Sequence, residues 1–547
     1  MLTAGAICSC ECRSCGPWAS PLLCRYALCG CRMRHWHDFT DSIEGLDFEA
    51  KSLPRPEAVI CPQRNVKKEF FRDLLKLAPK VEISEDGLER LFHGHGHTCG
   101  EIFALRHGQL NRLPDVVLYP KCHEDVEAIV ACAVRHNVCL IPFGGGTSVT
   151  LGLAVPENET RMVASVSLGF MQKILSLDRD ALMLTVEAGA VGAVLESQLR
   201  RLGVTLGHEP DSLEFSTVGG WVATRASGMK KNAYGNIEDL LIDAVMVTPR
   251  GTLNQRLAAP RVSSGPSLQQ LVLGSEGTLG IITQVVLKVK PLPEPASIRL
   301  MDQRQTHCGS LFRVNETGTS GLKHVLADGV KKFYLSKIKG WREEDLCGCT
   351  LLFEGSAEDV AFQQKNLYRA AKLFGALPAG GKYGERGYQM TFMIAYLRDF
   401  VMDHYWVFES FEASLAWPLV LKCRHKVQEY LSAECKRIGI RYPPLIMTRL
   451  TQVYDAGAVL YFYFGFNWAG LEQPMQAYKH IEDGARQVIL DLGGSISHHH
   501  GIGKLRREFL PSVVGETGLV MLRGVKACVD PQNIFGCRNL FETTQVE

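Results

Sequence analysis

The chain has 547 residues, of which 46% are hydrophobic and 22% charged, a composition typical of a soluble globular protein with room for two or more domains. Its 60 basic and 58 acidic residues give a net charge of +2, so there is no electrostatic case for nucleic-acid binding. No window approaches about 18 uninterrupted apolar residues. A membrane-spanning helix is therefore not expected, and any membrane contact would be peripheral.

The first 60 residues are rich in cysteine and show neither a helical period nor capping residues, which predicts a disordered amino terminus over residues 1–60. A zinc knuckle is the alternative, although the Cys-x-Cys-x-Cys-x-x-Cys spacing lacks the paired Cys-x-x-Cys of zinc sites. The other cysteines are scattered, as expected in a reducing compartment. We recognise no signal peptide, transit helix or Ser-Lys-Leu ending. The cysteines of this segment are Cys8, Cys10, Cys12, Cys15, Cys24, Cys29 and Cys31.

A helical lead-in is predicted over residues 61–113, because apolar residues from Phe70 to Leu77 recur at helical spacing. Another short helix is expected after Ser84. The alternating stretch His93–His97 has no carboxylate or thiol at ligand spacing, so solvated or hydrogen-bonded loop histidines are favoured over a metal site.

From Pro114 the pattern becomes α/β: a strand, a helix over Glu124–Asn137, and a second strand that ends in a glycine loop. Three consecutive glycines leave bare backbone N–H groups, which suit a pyrophosphate, and two hydroxyls follow them. The loop is neither G-x-G-x-x-G nor a Walker A loop, so NAD and ATP fit poorly, and a plain turn is the alternative. The stretch reads Pro142-Phe143-Gly144-Gly145-Gly146-Thr147-Ser148.

Two further segments of the same character follow, separated by predicted strands near Met162–Ser167, Ala181–Glu187 and Asp243–Thr248 and a helix over Gly192–Arg201. Turn capping is the simpler explanation of each hydroxyl taken singly, and contact with a cofactor is the alternative. Residues 114–292 are predicted to form one compact unit. The segments are Asp211-Ser212-Leu213-Glu214-Phe215-Ser216-Thr217 with Thr224-Arg225-Ala226-Ser227, and Glu276-Gly277-Thr278-Leu279-Gly280-Ile281-Ile282.

After residue 293 three features stand out. Arg299 and Arg398 follow apolar residues and could bind an anion, although surface ion pairs are the simpler explanation. In the predicted strand Ala458–Phe466, alternation places the even-numbered apolar residues on one face and Tyr461 and Tyr463 on the other. That second face presents two phenols either to a cavity or to neighbouring strands.

His498, His499 and His500 stand between two glycine pairs, Gly493-Gly494 and Gly501-Ile502-Gly503. The glycines let the backbone bring imidazoles close to a ligand. Adjacent residues on a strand cannot all face one way, so three-point metal binding is improbable, and we predict no metal; His498 and His500 could share a side. A flexible polar loop is the alternative.

With their order and spacing, these motifs resemble the FAD-binding domain of the vanillyl-alcohol oxidase (PCMH-type) superfamily, and from about His93 to Leu540 the chain resembles the alkylglycerone-phosphate (alkyldihydroxyacetonephosphate) synthase family. The resemblance implies an α+β fold: a split α/β FAD-binding domain over 114–292, an inserted cap domain over 293–480 and a helical carboxyl region over 481–547. FAD is the implied cofactor, held by the three glycine-containing segments.

Two departures argue against the D-lactate or glycolate dehydrogenase type within the same superfamily. Those enzymes carry Ala-Asn-Ala-Gly-Gly where this chain has Thr224–Gly228, and Glu-His-Gly-Ile-Gly where it has His499–Gly503. An imidazole in place of a carboxylate removes a negative charge, which suits a phosphate-bearing substrate.

The resemblance further implies that Tyr461 is the acid/base, Arg398 binds substrate, Arg299 is needed for activity and the three histidines serve catalysis. The implied reaction exchanges the acyl group of 1-acylglycerone 3-phosphate for a long-chain alcohol and releases a fatty acid, without net redox change, in ether-lipid synthesis. Peroxisomal location, homodimerisation and lipid substrates are implied by the family as well.

The chain departs from that family at one internal position. Between Lys290 and Arg299 the family has an additional strand and helix, which are absent here. The loss of a strand from a small sheet is expected to expose an edge and apolar surface. The family's targeting nonapeptide is not found near the amino terminus, so an impaired or alternative isoform is the competing interpretation.

Overall fold

The computed structural model describes residues 44–47, 50, 62–107, 110, 112–254, 267–291, 297–301, 347–378, 381, 394–454 and 457–541. The cysteine-rich segment predicted to be disordered lies outside the described residues, apart from 44–47 and 50. The chain junction at 292–296, where the additional strand and helix are expected to be missing, also lies outside them.

The amino-terminal unit alternates short helices with strands. Its predicted helices and strands are confirmed to within a few residues, and the helix Gly192–Arg201 has the predicted bounds. The elements are α1 (Lys68–Leu77), β1 (Glu82–Ser84), α2 (Gly87–Phe92), α3 (Cys99–His107), β2 (Val116–Tyr119), α4 (His123–His136), β3 (Cys139–Phe143), β4 (Val163–Ser167), β5 (Ile174–Asp178), β6 (Met183–Glu187), α5 (Gly192–Arg201), β7 (Val204–Thr205), α6 (Val218–Thr224), α7 (Lys231–Tyr234), α8 (Ile237–Leu240), β8 (Leu241–Thr248), β9 (Gly251–Leu253), α9 (Gln269–Val272), β10 (Ile281–Lys288) and β11 (Lys290–Pro291).

Two sheets and a short two-stranded ribbon, β11-β7, organise this unit. The first sheet has the order β1-β2-β4-β3, in which β2, β4 and β3 are parallel and β1 is antiparallel to β2. The second is an antiparallel sheet in the order β5-β6-β10-β8-β9. The parallel strands are buried on both faces, so β2 reads as a continuous apolar run, whereas β4 includes the two buried serines Ser165 and Ser167. The glycine loop begins where β3 ends at Phe143.

The carboxyl-terminal half forms a cap built on an antiparallel sheet in the order β13-β12-β15-β16-β14. β14 and β16 pair along eleven residues each, which makes them the longest ladder. The elements are β12 (Ser297–Met301), β13 (Gly348–Leu352), α10 (Ala357–Leu373), α11 (Ile394–Met402), β14 (Trp406–Ala416), α12 (Trp417–Ile438), β15 (Leu445–Val453), β16 (Gly457–Asn467), α13 (Pro474–Asp491), a 3₁₀ turn (Arg507–Phe509) and α14 (Leu510–Val529).

The two faces of the cap sheet differ in chemistry. Phe411, Phe462, Phe464 and Phe466 are fully buried in a core shared with α12 and α13. Because side chains alternate along a strand, the predicted second face of β16 carries Tyr461 and Tyr463. That face is opposed by the amino-terminal unit, since Ser227 Oγ hydrogen-bonds Gln452 of β15 at 3.0 Å.

Two predicted domain boundaries are corrected by the packing. The boundary at residue 480 falls inside α13, whose Ile481, Ala485 and Ile489 lie in the cap core, so the cap continues to the end of that helix. The lead-in is not a separate helical segment either, because β1 is hydrogen-bonded to β2 and α3 packs in the cap core.

The chain finally returns to the amino-terminal unit after α14. Ile534 and Phe535 are buried in the core of that unit, and the amide of Leu140 donates to the carbonyl of Ile534 at 2.8 Å. This return explains why residues near the carboxyl terminus lie beside the glycine loop. Across the described ranges, no helix has the length and apolarity needed to span a bilayer.

Candidate active site

The glycine loop offers a cradle of free backbone donors. In the described part of the chain, no amide from Gly144 to Ser148 donates a hydrogen bond to a protein acceptor. A Cβ at Gly145 would overlap the carbonyl of Phe215, and one at Gly144 would lie 2.5 Å from Oγ1 of Thr217. The first predicted segment therefore packs directly on the second, and only glycine fits between them. Such a row of amides suits a diphosphate.

Several hydroxyls of the second and third segments serve local turns, as the simpler reading expects. Thr217 caps α6 by accepting from the amide of Gly220, and Ser216 accepts from the indole of Trp221. Thr224 and Thr278 donate to backbone carbonyls four and three residues earlier. Arg225 ends α6 in the left-handed conformation. A role for these residues in holding a cofactor remains a prediction.

Glu276 of the third segment holds the loop that carries the histidines. Its two carboxylate oxygens accept from the amides of Ile502 at 2.7 Å and Gly503 at 2.6 Å. Burial raises the pKa of this carboxyl group, and the two N–H bonds oppose that rise. Gly501 and Gly503 both have positive φ, which lets the consecutive amides of Ile502 and Gly503 point at the carboxylate of Glu276.

A second buried carboxylate, Glu412 of β14, holds the same loop from the cap side. Its Oε1 accepts from the amides of His498, His499 and His500 at 2.7, 2.7 and 2.8 Å. Burial opposes ionisation, but the neighbouring charges of His499 and His500 lower the pKa of Glu412 well below its usual range. Glu276 and Glu412 therefore hold the backbone amides of the histidine loop from two sides, which favours a structured loop over the flexible alternative.

Tyr461 of β16 lies against this loop. Its hydroxyl is 2.5 Å from Nε2 of His499 and 3.2 Å from Nε2 of His500. Burial first, and then the charge of Glu412, raises the pKa of Tyr461 well above that of a free phenol. The phenol is thus neutral until a neighbouring base takes its proton.

The three histidines differ in basicity. Burial lowers the pKa of His498 to about 4 and that of His500 well below its usual range. For His499 burial acts in the same direction, but the charge of Glu412 outweighs it and the pKa is raised. The side chains of His499 and His500 both contact the hydroxyl of Tyr461. His498 does not share that contact with His500, as its predicted side would suggest, because its Nε2 lies 2.6 Å from Tyr454 Oη instead.

Glu412, His498 and His499 place three ligand-type atoms within 4.8 Å of one another. Oε1 of Glu412 already accepts hydrogen bonds from three backbone amides, and Nε2 of His498 is hydrogen-bonded to the hydroxyl of Tyr454. The second carboxylate oxygen, Oε2, has no hydrogen-bond partner among the described residues.

Arg449 of β15 brings a positive charge to the other side of Tyr461. Its guanidinium carbon lies 5.3 Å from the Tyr461 ring centre and 5.6 Å from that of Tyr463. Its Nη2 is buried, lies 3.8 Å from a carboxylate oxygen of Asp211, and has no hydrogen bond to a described residue. The predicted cofactor residue Asp211 thus meets the cap next to the phenol.

The two predicted arginines lie elsewhere on the cap. Arg398 of α11 is 4% exposed and donates to Asp399, Glu409 and the carbonyl of His97, so its charge is balanced by protein groups. Burial opposes its charge, but the two carboxylates outweigh that and raise the pKa of Arg398 further. Arg299 occupies the middle of β12 opposite Thr350 of β13. Its side chain is outside the described part of the structure.

A cavity of about 210 Å³ adjoins the site between the two units. Arg506 borders it and also donates to the carbonyl of Gly501, immediately after the histidines. Ser410 borders it from β14, where it pairs with Tyr463. Glu409, the partner of Arg398, is a further lining residue, so this arginine lies one side chain from the cavity.

Sequence reasoning missed three residues of this site: Glu412, Arg449 and His208. Glu412 and Arg449 flank Tyr461 across β14 and β15, so strand pairing was needed to find them. His208 is 2% exposed beside Trp221, and neither ring nitrogen has a hydrogen-bond partner in the described part of the chain. Burial first, and then the charge of His499, lowers its pKa to about 3.

Comparison with known proteins defines the class. Residues 114–255 match the family model of an FAD-binding domain, and residues 282–540 match that of the carboxyl-terminal domain of FAD-linked oxidases. The glycine cradle fits this assignment, because its amides have no protein acceptor in the described structure. The fold and the site therefore define an FAD-dependent enzyme of the PCMH type, built as an α+β protein.

Named relatives narrow the class to one family. The chain is 40% identical to the alkyldihydroxyacetonephosphate synthase of Caenorhabditis elegans, over 95% of this chain and 91% of that protein. It is 30% identical to the enzyme of that name from Dictyostelium discoideum, over 88% and 82% of the two chains. A solved structure of an alkyldihydroxyacetonephosphate synthase superposes with a TM-score of 0.77 at 28% identity and covers 92% of each chain. The chain belongs to the alkyldihydroxyacetonephosphate synthase family.

Proposed function

We propose that this chain is an alkyl transferase that exchanges the acyl group of 1-acylglycerone 3-phosphate for a long-chain alcohol and releases a fatty acid, as an FAD-dependent step of ether-lipid synthesis without net redox change. The observation that carries the proposal is the buried chain of Glu412, His499 and Tyr461 in a member of this family. It supplies an acid/base group beside the predicted cofactor cradle.

FAD would be held by its diphosphate on the amides of Gly144–Ser148, with the second and third segments beside it. When bound, FAD supplies an electron-accepting ring for the carbon next to the substrate's ketone. The face of the cap that carries Tyr461 and Arg449 is opposed by Asp211 of the second segment, which supports this arrangement.

Tyr461 would remove the proton from the carbon next to the ketone, where the carbonyl makes that proton acidic. A neutral phenol is too weak a base for this task, so its own proton must leave first. His499 lies at hydrogen-bond distance from the phenol and, of the three histidines, is the one whose pKa is raised. Arg449 over the phenol ring favours the phenolate.

Arg398 would serve substrate binding from its place beside the cavity, and Arg299 would contribute from β12. Arg398 has a forked, permanently charged group suited to phosphate or carboxylate. The two carboxylates around Arg398 hold its side chain in place. Arg398 would therefore act on the substrate at the border of the cavity while it stays bound to both carboxylates.

The family relationship also supports lipid substrates, peroxisomal location, homodimerisation and peripheral contact with a membrane. The reaction consumes an acylated ketone phosphate and a fatty alcohol, both of which are lipids that associate with a bilayer surface.

The test uses purified protein with 1-palmitoylglycerone 3-phosphate and radiolabelled hexadecanol. We expect a yellow sample that forms labelled 1-alkylglycerone 3-phosphate and releases palmitate in equal amounts. A yellow protein that instead reduces a dye with D-lactate or glycolate would indicate the dehydrogenase alternative. A sample that binds FAD but catalyses neither reaction would indicate an impaired isoform.

A further inference from the structure

The strongest unassigned feature is the buried carboxylate of Glu412. It is fully buried, it stands directly across from Tyr461 on the neighbouring strand, and none of the sequence motifs includes it. Burying a carboxylate is unfavourable unless hydrogen bonds and opposite charges compensate for the lost water. Its surroundings therefore indicate what the charge is used for.

The two oxygens of Glu412 have different tasks. Oε1 accepts the three consecutive amides of the histidine loop, which leaves Oε2 free of that duty. Oε2 is buried and lies 2.8 Å from Nδ1 of His499. The ring is not yet aligned for an ideal hydrogen bond, as is common for catalytic groups in the absence of substrate. Oε2 has no hydrogen-bond partner among the described residues, and Nδ1 of His499 is nearer to it than Nδ1 of His498, which is 4.0 Å away.

This arrangement determines where the proton of His499 resides. Nδ1 of His499 lies 2.8 Å from Oε2 of Glu412 and 3.1 Å from Nδ1 of His498. An ionised carboxylate only accepts, so the proton at the shorter contact belongs to Nδ1 of His499, and His498 then presents an unprotonated Nδ1. In the neutral ring Nε2 is then the acceptor, and it is Nε2 that lies 2.5 Å from the hydroxyl of Tyr461. His499 is thereby set to take a proton from the phenol.

We propose that Glu412 is a positioning residue of the reaction: it holds His499 in the tautomer whose Nε2 accepts the proton of Tyr461. This inference rests on the proposed function. The O–H bond of Tyr461 breaks and its proton forms an N–H bond at Nε2, which gives an imidazolium beside the carboxylate. The phenolate then takes the proton of the substrate carbon, so Tyr461 is again a phenol and His499 holds the extra proton.

The substitution Glu412→Gln separates the two tasks of the side chain. The three backbone amides require an oxygen, so the amide nitrogen of the glutamine must face Nδ1 of His499 and donate to it. Nδ1 then becomes the acceptor and Nε2 carries the proton. Because the wrong tautomer cannot take a proton from Tyr461, we expect kcat to fall about 100-fold or more while KM changes little.

A double-mutant cycle shows whether Glu412 acts through His499. His499→Gln removes the basic ring nitrogen that takes the proton, because an amide is not protonated near neutral pH, and it keeps the backbone amide bond to Glu412. We expect Glu412→Gln to reduce kcat no further in the His499→Gln background, whereas a structural role would make the two losses multiply. Multiplying losses would overturn the proposal. Flavin content and unfolding temperature, measured on all four proteins, identify any loss that comes from folding.

A second measurement is independent of turnover. In wild-type protein loaded with FAD and labelled with ¹⁵N-histidine, NMR identifies the tautomer of His499, with the resonance assigned from its absence in His499→Gln. We expect an unprotonated Nε2 in the neutral ring, and an unprotonated Nδ1 in Glu412→Gln. A wild-type ring protonated at Nε2 would refute the role of Glu412 even if that variant failed to fold. If the tautomer is as expected and no alkyl product forms, the proposed function fails and the positioning geometry stands.

Discussion

The two ends of the cap sheet differ in which side chains they bury and which they expose. At the inner end, formed by β14, β15, β16 and the histidine loop, charged and phenolic side chains are almost completely buried and held by partners. At the outer end, formed by β12, β13 and α10, apolar side chains face solvent. No residue of α10 is buried, and Leu373 and Phe374 at and just after its end are 82% and 89% exposed.

The difference follows from which end of the cap sheet the amino-terminal unit covers. The inner end is covered by the amino-terminal unit, which supplies Asp211 and Glu276, so buried charge there finds partners. Exposed apolar residues at the outer end agree with the expectation that a covering strand and helix are absent from this chain. That expectation remains a prediction, because the junction lies outside the described residues.

The largest effect should follow from removing the phenol at the inner end. Tyr461→Phe leaves the ring, its packing and the flavin in place but removes the group that exchanges the proton. We expect kcat to fall about 100- to 10,000-fold with FAD content unchanged. The control is Tyr463→Phe, on the same face of β16. Near-normal turnover of Tyr461→Phe would remove the acid/base role, and loss of flavin would show that the change is structural.

The grip on the histidine loop is tested by Gly503→Ala. Gly503 has φ of +54°, and a Cβ there would overlap the carbonyl of Thr150. We expect a loss of about 1–3 kcal/mol from the backbone alone, together with displacement of the histidines and reduced kcat. Gly493→Ala is the matched control, because its φ is +76° but a Cβ would meet nothing within 4 Å. Equal effects on kcat would mean that the fit of the loop is unimportant.

The contrast between the two ends is sharpened by two phenylalanines. Phe462→Ala, in the buried core of the cap, should reduce the free energy of unfolding by about 3–5 kcal/mol. Phe374→Ala, at the exposed end of α10, should change it by less than about 0.5 kcal/mol. Denaturant unfolding of both variants measures the difference. A large loss for Phe374→Ala would show that the outer end is covered in solution.

The smallest effect is expected for Arg398→Lys. The charge is retained, but one ammonium group cannot reproduce the bonds to Asp399, Glu409 and the carbonyl of His97. We expect the KM for the acylated ketone phosphate to rise about tenfold with kcat less affected. Arg437→Lys, in an exposed pair with Glu434, is the control. An unchanged KM for Arg398→Lys would contradict substrate binding by this residue.

Much of the fold follows from local patterns. Helix Gly192–Arg201 and strand Gly457–Asn467 were predictable because apolar residues recur at 3.6- and 2-residue periods along them. The boundary at residue 480 was not, because the period of α13 continues through it and only packing assigns that helix to the cap.

By itself the sequence determined the glycine cradle, the phenols on one face of β16 and the presence of three histidines, because each is written in consecutive residues or in a strand period. The tertiary structure alone decided which histidine is basic and which tyrosine meets it. Those properties depend on Glu412 and Arg449, which reach Tyr461 by strand pairing from 49 and 12 residues away and gain their effect from burial at the boundary of two domains.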